Sequence, residues 1–325
     1  MTSVSASAPP TAAPAPRLAP AWRVWTLRAA PYLVAASVVA WVLHKYPAHQ
    51  IAAEMRLGHA AAMLPAGLAV AFVVWLPYAA SDRLVMLGTI GPVPFRDVVR
   101  AKAATATLLL LGYFFGGGGY AVWIARKTGV GAARAAGVVL YLMSSDLAAV
   151  CAVAGASAWL GGAEVPHALR TVATSIFAVL ASLILIAPLG VPPRLPVILQ
   201  AWRQVPRAWG LAQIGVRSIN IAIISGLTWV GARAFGMDVP AGVMAIYMPI
   251  ILLVTSLPLS VAGLGASQAA WLLLLPWASG PRILAFQVLW QLFTSAGVLL
   301  RGLLFVRRVA SEMAGGQRGA RVSGT

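Results

Sequence analysis

The sequence predicts an all-α polytopic helical membrane protein with about six full spans plus two glycine-broken re-entrant hairpins. Three observations carry that prediction. Hydrophobic residues make up 60% of the 325 and charged residues only 10%, against about a quarter charged in a soluble domain. The apolar residues fall in runs of span length, about 20 residues being enough to cross a hydrocarbon core of about 30 Å. The basic residues, 24 Lys and Arg against 7 Asp and Glu, lie in short segments between those runs. Such a composition excludes a soluble enzyme, a disordered chain and a disulfide scaffold, and the single Cys151 has no partner for an internal bridge. Spread over loops, the excess charge fits membrane orientation rather than a nucleic-acid interface. There is no zinc-ligand spacing, no glycine-rich phosphate loop after a strand and no Ser/His/Asp pattern. No metal, cofactor, catalytic residue or nucleic-acid partner is therefore expected. His44, His49, His59 and His167 fall near span ends and read as interfacial residues.

Along the chain, residues 1–20 are rich in Pro, Ala and Ser and are expected to form a disordered cytoplasmic tail. Arg17, Arg23 and Arg28 precede the first span, about 29–43, as in a signal anchor with its N-terminus inside. A second span covers about 60–80, followed by a loop with Arg83, Arg96, Arg100 and Lys102. The 23-residue apolar run Ala103 to Ala125 contains Gly116, Gly117, Gly118 and Gly119 in a row. Each glycine costs a helix about 1 kcal/mol against alanine, so a helix break is expected there. Full spans follow at about 136–160, 168–190 and 211–235, with 194–207 a surface loop or interfacial helix. The 35 residues from Val243 to Trp277 would make a helix of about 52 Å, too long for one span. Pro258, Gly263 and Gly265 divide them into two unequal legs. The last span is about 284–305, and 309–325 is expected to be a flexible cytoplasmic tail.

Charge chooses the topology. If both glycine-broken segments return to their own side, 17 Lys and Arg lie inside and five outside. If both cross, the split is 13 to 9, a far weaker positive-inside bias. The favoured arrangement puts both termini in the cytoplasm. It also relates residues 103–160 and 243–305 by inverted topology, an arrangement found in transporters with broken helices near the midplane.

The stretch Leu257-Pro-Leu-Ser-Val-Ala-Gly-Leu-Gly-Ala-Ser-Gln268-Ala-Ala resembles the pattern L-P-x-S-x-x-G-L-G-x-R-E-x-A of the lysylphosphatidylglycerol synthase transmembrane family. Gly116 to Val130, with the span through Asp146, is similar to that family's earlier motifs G-G-E-x-x-R and E-R-x-x-D. The resemblance covers about 30–308. It implies a flippase-like domain over 21–308 in a bacterial inner membrane. The function it implies is movement of a polar-headgroup lipid, with membrane lipids as partners. The alternative is a non-transporting partner that docks a lipid-synthesis enzyme of a glycolipid, polyprenyl-lipid or hopanoid pathway. Seventeen residues follow Arg308, so the soluble aminoacyl-transferase domain of the synthase proper is expected to be absent. The chain departs from the family at its charges: Ser267 and Gln268 replace Arg and Glu, Gln291 replaces an Arg, and Tyr120 stands nearest the early Glu.

Six polar residues are candidates for a substrate path. Asp146 falls mid-span, where a carboxylate is expensive and marks a site by default. Arg217 and Asn220 share a helix face at i, i+3, and Asp146 and Arg217 are expected to pair across one cavity. Gln268 lies in the loop motif, and Gln287 and Gln291, spaced i, i+4, are expected to face a common cavity. Arg301 is expected to snorkel to the inner interface. The oligomeric state is left open.

Overall fold

The computed structural model describes residues 36–55, 57–110, 113–160, 196–256, 260–261 and 264–322, with isolated helical positions between 167 and 182. The described residues are helical except for loops and one two-residue ladder. Residues 36–45 form α1, whose beginning lies outside the described residues. It is followed by α2 (Ala48–Glu54), α3 (Leu57–Val73), α4 (Trp75–Thr89) and α5 (Phe95–Ala106). After a 3₁₀ turn at Thr107–Leu110 come α6 (Tyr113–Thr128) and α7 (Ala132–Leu160). Then follow α8 (Gln200–Gln204), α9 (Arg207–Ala234) and α10 (Ala241–Ser256). Strands β1 (Ser260–Val261) and β2 (Leu264–Gly265) precede α11 (Ala266–Trp271), and α12 (Gly280–Val322) closes the chain.

Four of these units are long and apolar enough to cross a membrane: His59–Thr89, Ala132–Ser157, Arg207–Ala234 and Gly280–Glu312. The first is one unit kinked between α3 and α4. Pro77, in the first turn of α4, lacks an N–H and cannot continue the ladder from α3. The spans expected at 29–43 and 168–190 fall largely outside the described residues.

The four glycines do not break a helix. Gly116 to Gly119 lie within α6, and the interruption comes earlier, at Thr107–Leu110. Packing overrides propensity here. A Cβ on Gly119 would lie 2.5 Å from Leu108 Cδ1, and one on Gly117 would lie 3.1 Å from Met143 Sδ. The missing side chains let the 3₁₀ turn and α7 close onto α6, as small residues do between membrane helices. Helices α5 and α6 form a hairpin whose start and end meet, because Lys127 Nζ lies 3.0 Å from Asp97 Oδ2. With 12 and 16 residues, its legs reach about 18 and 24 Å.

A second interruption separates α10 from α11. There Ser260 pairs with Gly265 and Val261 with Leu264; Pro258 and Gly263 lie outside the described residues. Beyond α11 and a 3₁₀ turn, Trp277 returns to the start of α10, its ring 5.7 Å from that of Tyr247.

The starts of α5 and α10 lie at opposite ends of the bundle. At one end Arg134 of α7 donates to Thr89 O and, at 3.4 Å, to Gln204 Oε1. Beside it, Arg83 donates to Val93 O. Among described residues this end gathers Arg83, Arg96, Arg100, Arg126, Lys127, Arg134, Arg203, Arg207, Arg307 and Arg308, with Asp97 and Glu312 as its acids. At the other end Arg282 pairs with Glu54 at 2.9 Å and Arg233 with Asp238 at 2.7 Å. Each end has its own core, one around Met63, Phe235, Met244 and Phe286, the other around Val85, Val98, Trp123 and Tyr141.

One expectation about a polar segment changes. Residues after 308 continue α12 rather than forming a flexible tail, because Val309 is buried and Glu312 reaches Lys127 and Arg308. Residues 197–204, within the segment expected as a surface loop or interfacial helix, form short helical turns that rest on α7, where Ile198 O occupies the space of a Cβ on Gly137.

Candidate functional site: a buried charge ladder

Four charged side chains from four helices form one alternating series. Lys102 of α5 lies 2.7 Å from Asp82 Oδ2 of α4, and Asp82 Oδ1 lies 2.6 Å from Arg217 Nη2 of α9. Arg217 Nη1 closes on Asp146 Oδ1 of α7. The structure thus brings Asp146 and Arg217 together and adds two partners that sequence reasoning missed.

Helical rise orders the series by depth. Measured from the basic end, Asp82 and Lys102 lie seven residues inside their helices, Arg217 ten and Asp146 fourteen. At 1.5 Å per residue that is about 10, 15 and 21 Å. Asp82 and Arg217 are sealed, whereas the side chains of Lys102 and Asp146 are 24% and 27% exposed. What exposes them is a partly open cavity of about 80 Å³, lined by Lys102, Thr105, Gly116, Tyr120, Met143 and Asp146 among others. The glycines of α6 therefore form part of a cavity wall.

Aromatic faces back the cations. Arg217 Cζ lies 5.1 Å from the Tyr78 ring centroid, and Lys102 Nζ lies 5.3 Å from that of Tyr120. Such contacts offset part of the cost of removing a cation from water. A charge at bilayer depth costs about 2.5–3.5 kcal/mol on insertion scales. Joined as acid–base pairs, these four groups offset one another.

Asn220 lies one turn deeper than Arg217 on α9, fully buried, with neither amide atom hydrogen-bonded. A buried amide left unpaired is costly. The position suits a water or a ligand hydroxyl.

The glutamines lie elsewhere. Gln287 Nε2 donates to Ser267 Oγ at 3.3 Å, and Gln268 is buried on the same short helix. Gln291 faces outward and bonds Ser295 Oγ. The expected common cavity for Gln287 and Gln291 is therefore not formed. Four residues separate them by about 400° of helical turn, but α12 lies at the bundle surface, where that offset of about 40° turns the second side chain out. Neither residue, nor Gln268, lines the cavity of Asp146.

Arg301 also departs from expectation. Instead of snorkelling it is buried, donates to Ala71 O at the kink between α3 and α4, and lies 5.2 Å from the Trp75 ring. Asp82 and Lys102 were legible in part. Asp82 is followed by the apolar Leu84-Val85-Met86-Leu87, so the helix continues past it. Tyr78, Ser81, Asp82 and Val85 lie on one face.

No protein-family model and no curated protein matches the chain. The resemblance to the lysylphosphatidylglycerol synthase transmembrane family therefore rests on the motif residues themselves.

Proposed function

We propose that the chain is an inner-membrane lipid flippase that moves a polar headgroup across the bilayer while the acyl chains stay in lipid. The carrying observation is the charge ladder whose two outer members, Lys102 and Asp146, open into one cavity. Charges of this kind at span depth pair with one another and mark substrate or ion pathways. In this reading the two hairpins are re-entrant, both termini are cytoplasmic, and the basic end faces the cytoplasm. Interrupted helices beside the cavity supply backbone groups to a ligand, as in transporters built from inverted repeats. The motif resemblance points the same way. No covalent step is assigned to the chain.

Reconstitution tests the reading. Purified protein alone in vesicles should accelerate headgroup translocation, and Asp146→Asn should reduce it. Wild-type protein that moves no lipid would reject the proposal.

A second reading follows from ten basic residues against two acidic ones at one end. That face suits an acidic surface on a lipid-synthesis enzyme. Specific, salt-sensitive capture of such an enzyme without lipid translocation would favour it.

A further inference from the structure

Charge balance inside the bundle points to the class of headgroup. Among the described residues, the membrane-length interior holds three cations, Lys102, Arg217 and Arg301, against two anions, Asp82 and Asp146. The ladder accounts for two of each. Among the described residues Arg301 has no acidic side chain within ion-pair distance; its contacts there are a backbone carbonyl and the face of Trp75, and its Nε is buried without a hydrogen-bond partner. The packing of α12 on α5 holds it close to the cavity. Gly302, the next residue, abuts Ala103 O and Thr107, one and five positions beyond Lys102 on the same segment.

We infer that the cavity takes a lipid headgroup carrying one net negative charge on a phosphodiester, with hydroxyls at its far end. This inference rests on the proposed lipid transport and names its substrate class. One negative charge brings the interior to neutrality, whereas a zwitterion leaves an uncompensated cation at low dielectric, where that state is costly. The lining is divided in the same sense. Lys102 and Tyr120 form the wall suited to phosphate oxygens, the ammonium and the phenol hydroxyl acting as donors, while the Thr105 hydroxyl is already donated to Ala101 O. Asp146, on α7, is an acceptor for ligand hydroxyls. At about 80 Å³ the space exceeds the ~10–15 Å³ that one water needs, so a small polar group fits.

The test compares lipids on the full chain in detergent by native mass spectrometry. Dioleoylphosphatidylglycerol should bind about tenfold more tightly than dioleoylphosphatidylethanolamine, the scale of one charge-assisted hydrogen bond. Lys102→Gln and Arg301→Gln should each reduce that preference; Lys102→Gln, which removes a phosphate contact common to both lipids, should also weaken phosphatidylethanolamine binding. Asp146→Asn, which removes a negative group from the wall, should increase the preference and provides a reading even if the other variants do not fold. Equal binding of the two lipids by wild-type protein, or a preference unaltered in folded Lys102→Gln and Arg301→Gln, would overturn the inference. Soluble glycerophosphoglycerol distinguishes the sources of the phosphodiester. Failure to compete supports a membrane lipid, and competition at matched concentration overturns the lipid assignment. The two proposals fail separately: translocation with phosphatidylethanolamine preferred rejects only the substrate class, and selective phosphatidylglycerol binding without translocation rejects only transport.

Discussion

Arg217 lies 2.6 Å from Asp82, and neither side chain reaches solvent. Because Asp82 also holds Lys102 at 2.7 Å, this carboxylate joins α4, α5 and α9. Removing its charge leaves Lys102 without its acid and Arg217 with Asp146 alone. Asp82→Asn should therefore destabilise the fold by about 3–5 kcal/mol, the usual cost of breaking a buried pair. Asp146→Asn should cost less, because its carboxylate borders a cavity and serves one partner. Denaturant unfolding of both variants in one detergent checks the order.

Coupling between Asp146 and Arg217 is measurable separately. Their direct contact predicts that Asp146→Asn and Arg217→Gln deviate from additivity by about 0.5 kcal/mol or more. Additive effects in a double-mutant cycle would mean that the pair is energetically independent.

Glycine substitutions separate packing from conformational demand. A Cβ on Gly302 would collide with Thr107, whereas one on Gly118 meets open space. Gly302→Ala should cost about 1–3 kcal/mol by overpacking. Gly118→Ala should be neutral or stabilise α6 by up to about 1 kcal/mol. Thermal unfolding midpoints of the two variants should move in opposite directions, or Gly118→Ala should not move at all.

The glutamines of α12 give a second contrast. Gln287→Leu removes the partner of buried Ser267 and should cost about 1–3 kcal/mol. Gln291→Leu, on the outer face, should stay within about 0.5 kcal/mol. The same unfolding measurement reads both.

Topology follows from the two charged ends. Lys127 sits with Asp97 and Glu312 at the basic end, and Arg282 sits with Glu54 at the other. Lys127→Cys and Arg282→Cys should be labelled from opposite sides of intact cells, Arg282→Cys from outside. Labelling of both from the same side would reject the re-entrant reading.

Composition and apolar run length alone settled the helical class, the long apolar helices around 136–160, 211–235 and 284–305, and an interruption after Ser256. Each is a property of a contiguous run: composition, apolar length, or a cluster of Pro and Gly. The Asp146–Arg217 contact was also legible, since two opposite charges at span depth have few cheaper arrangements than each other. Tertiary structure decided the rest. Gly116 to Gly119 read locally as a break, yet α6 forms because Leu108 and Met143 pack where side chains would have stood, and packing outweighs a propensity cost of about 1 kcal/mol per residue. Lys102 read as a loop cation because its neighbours Arg96 and Arg100 are basic. Only folding of α5 against α4 brings it to Asp82, twenty positions away. Arg301 read as a snorkelling residue because an end of its helix is near. A kink in a segment some 230 positions earlier offers it the Ala71 carbonyl instead. Hydropathy and spacing report what one segment prefers, but the partner of a buried charge is fixed by whichever distant helix packs against it.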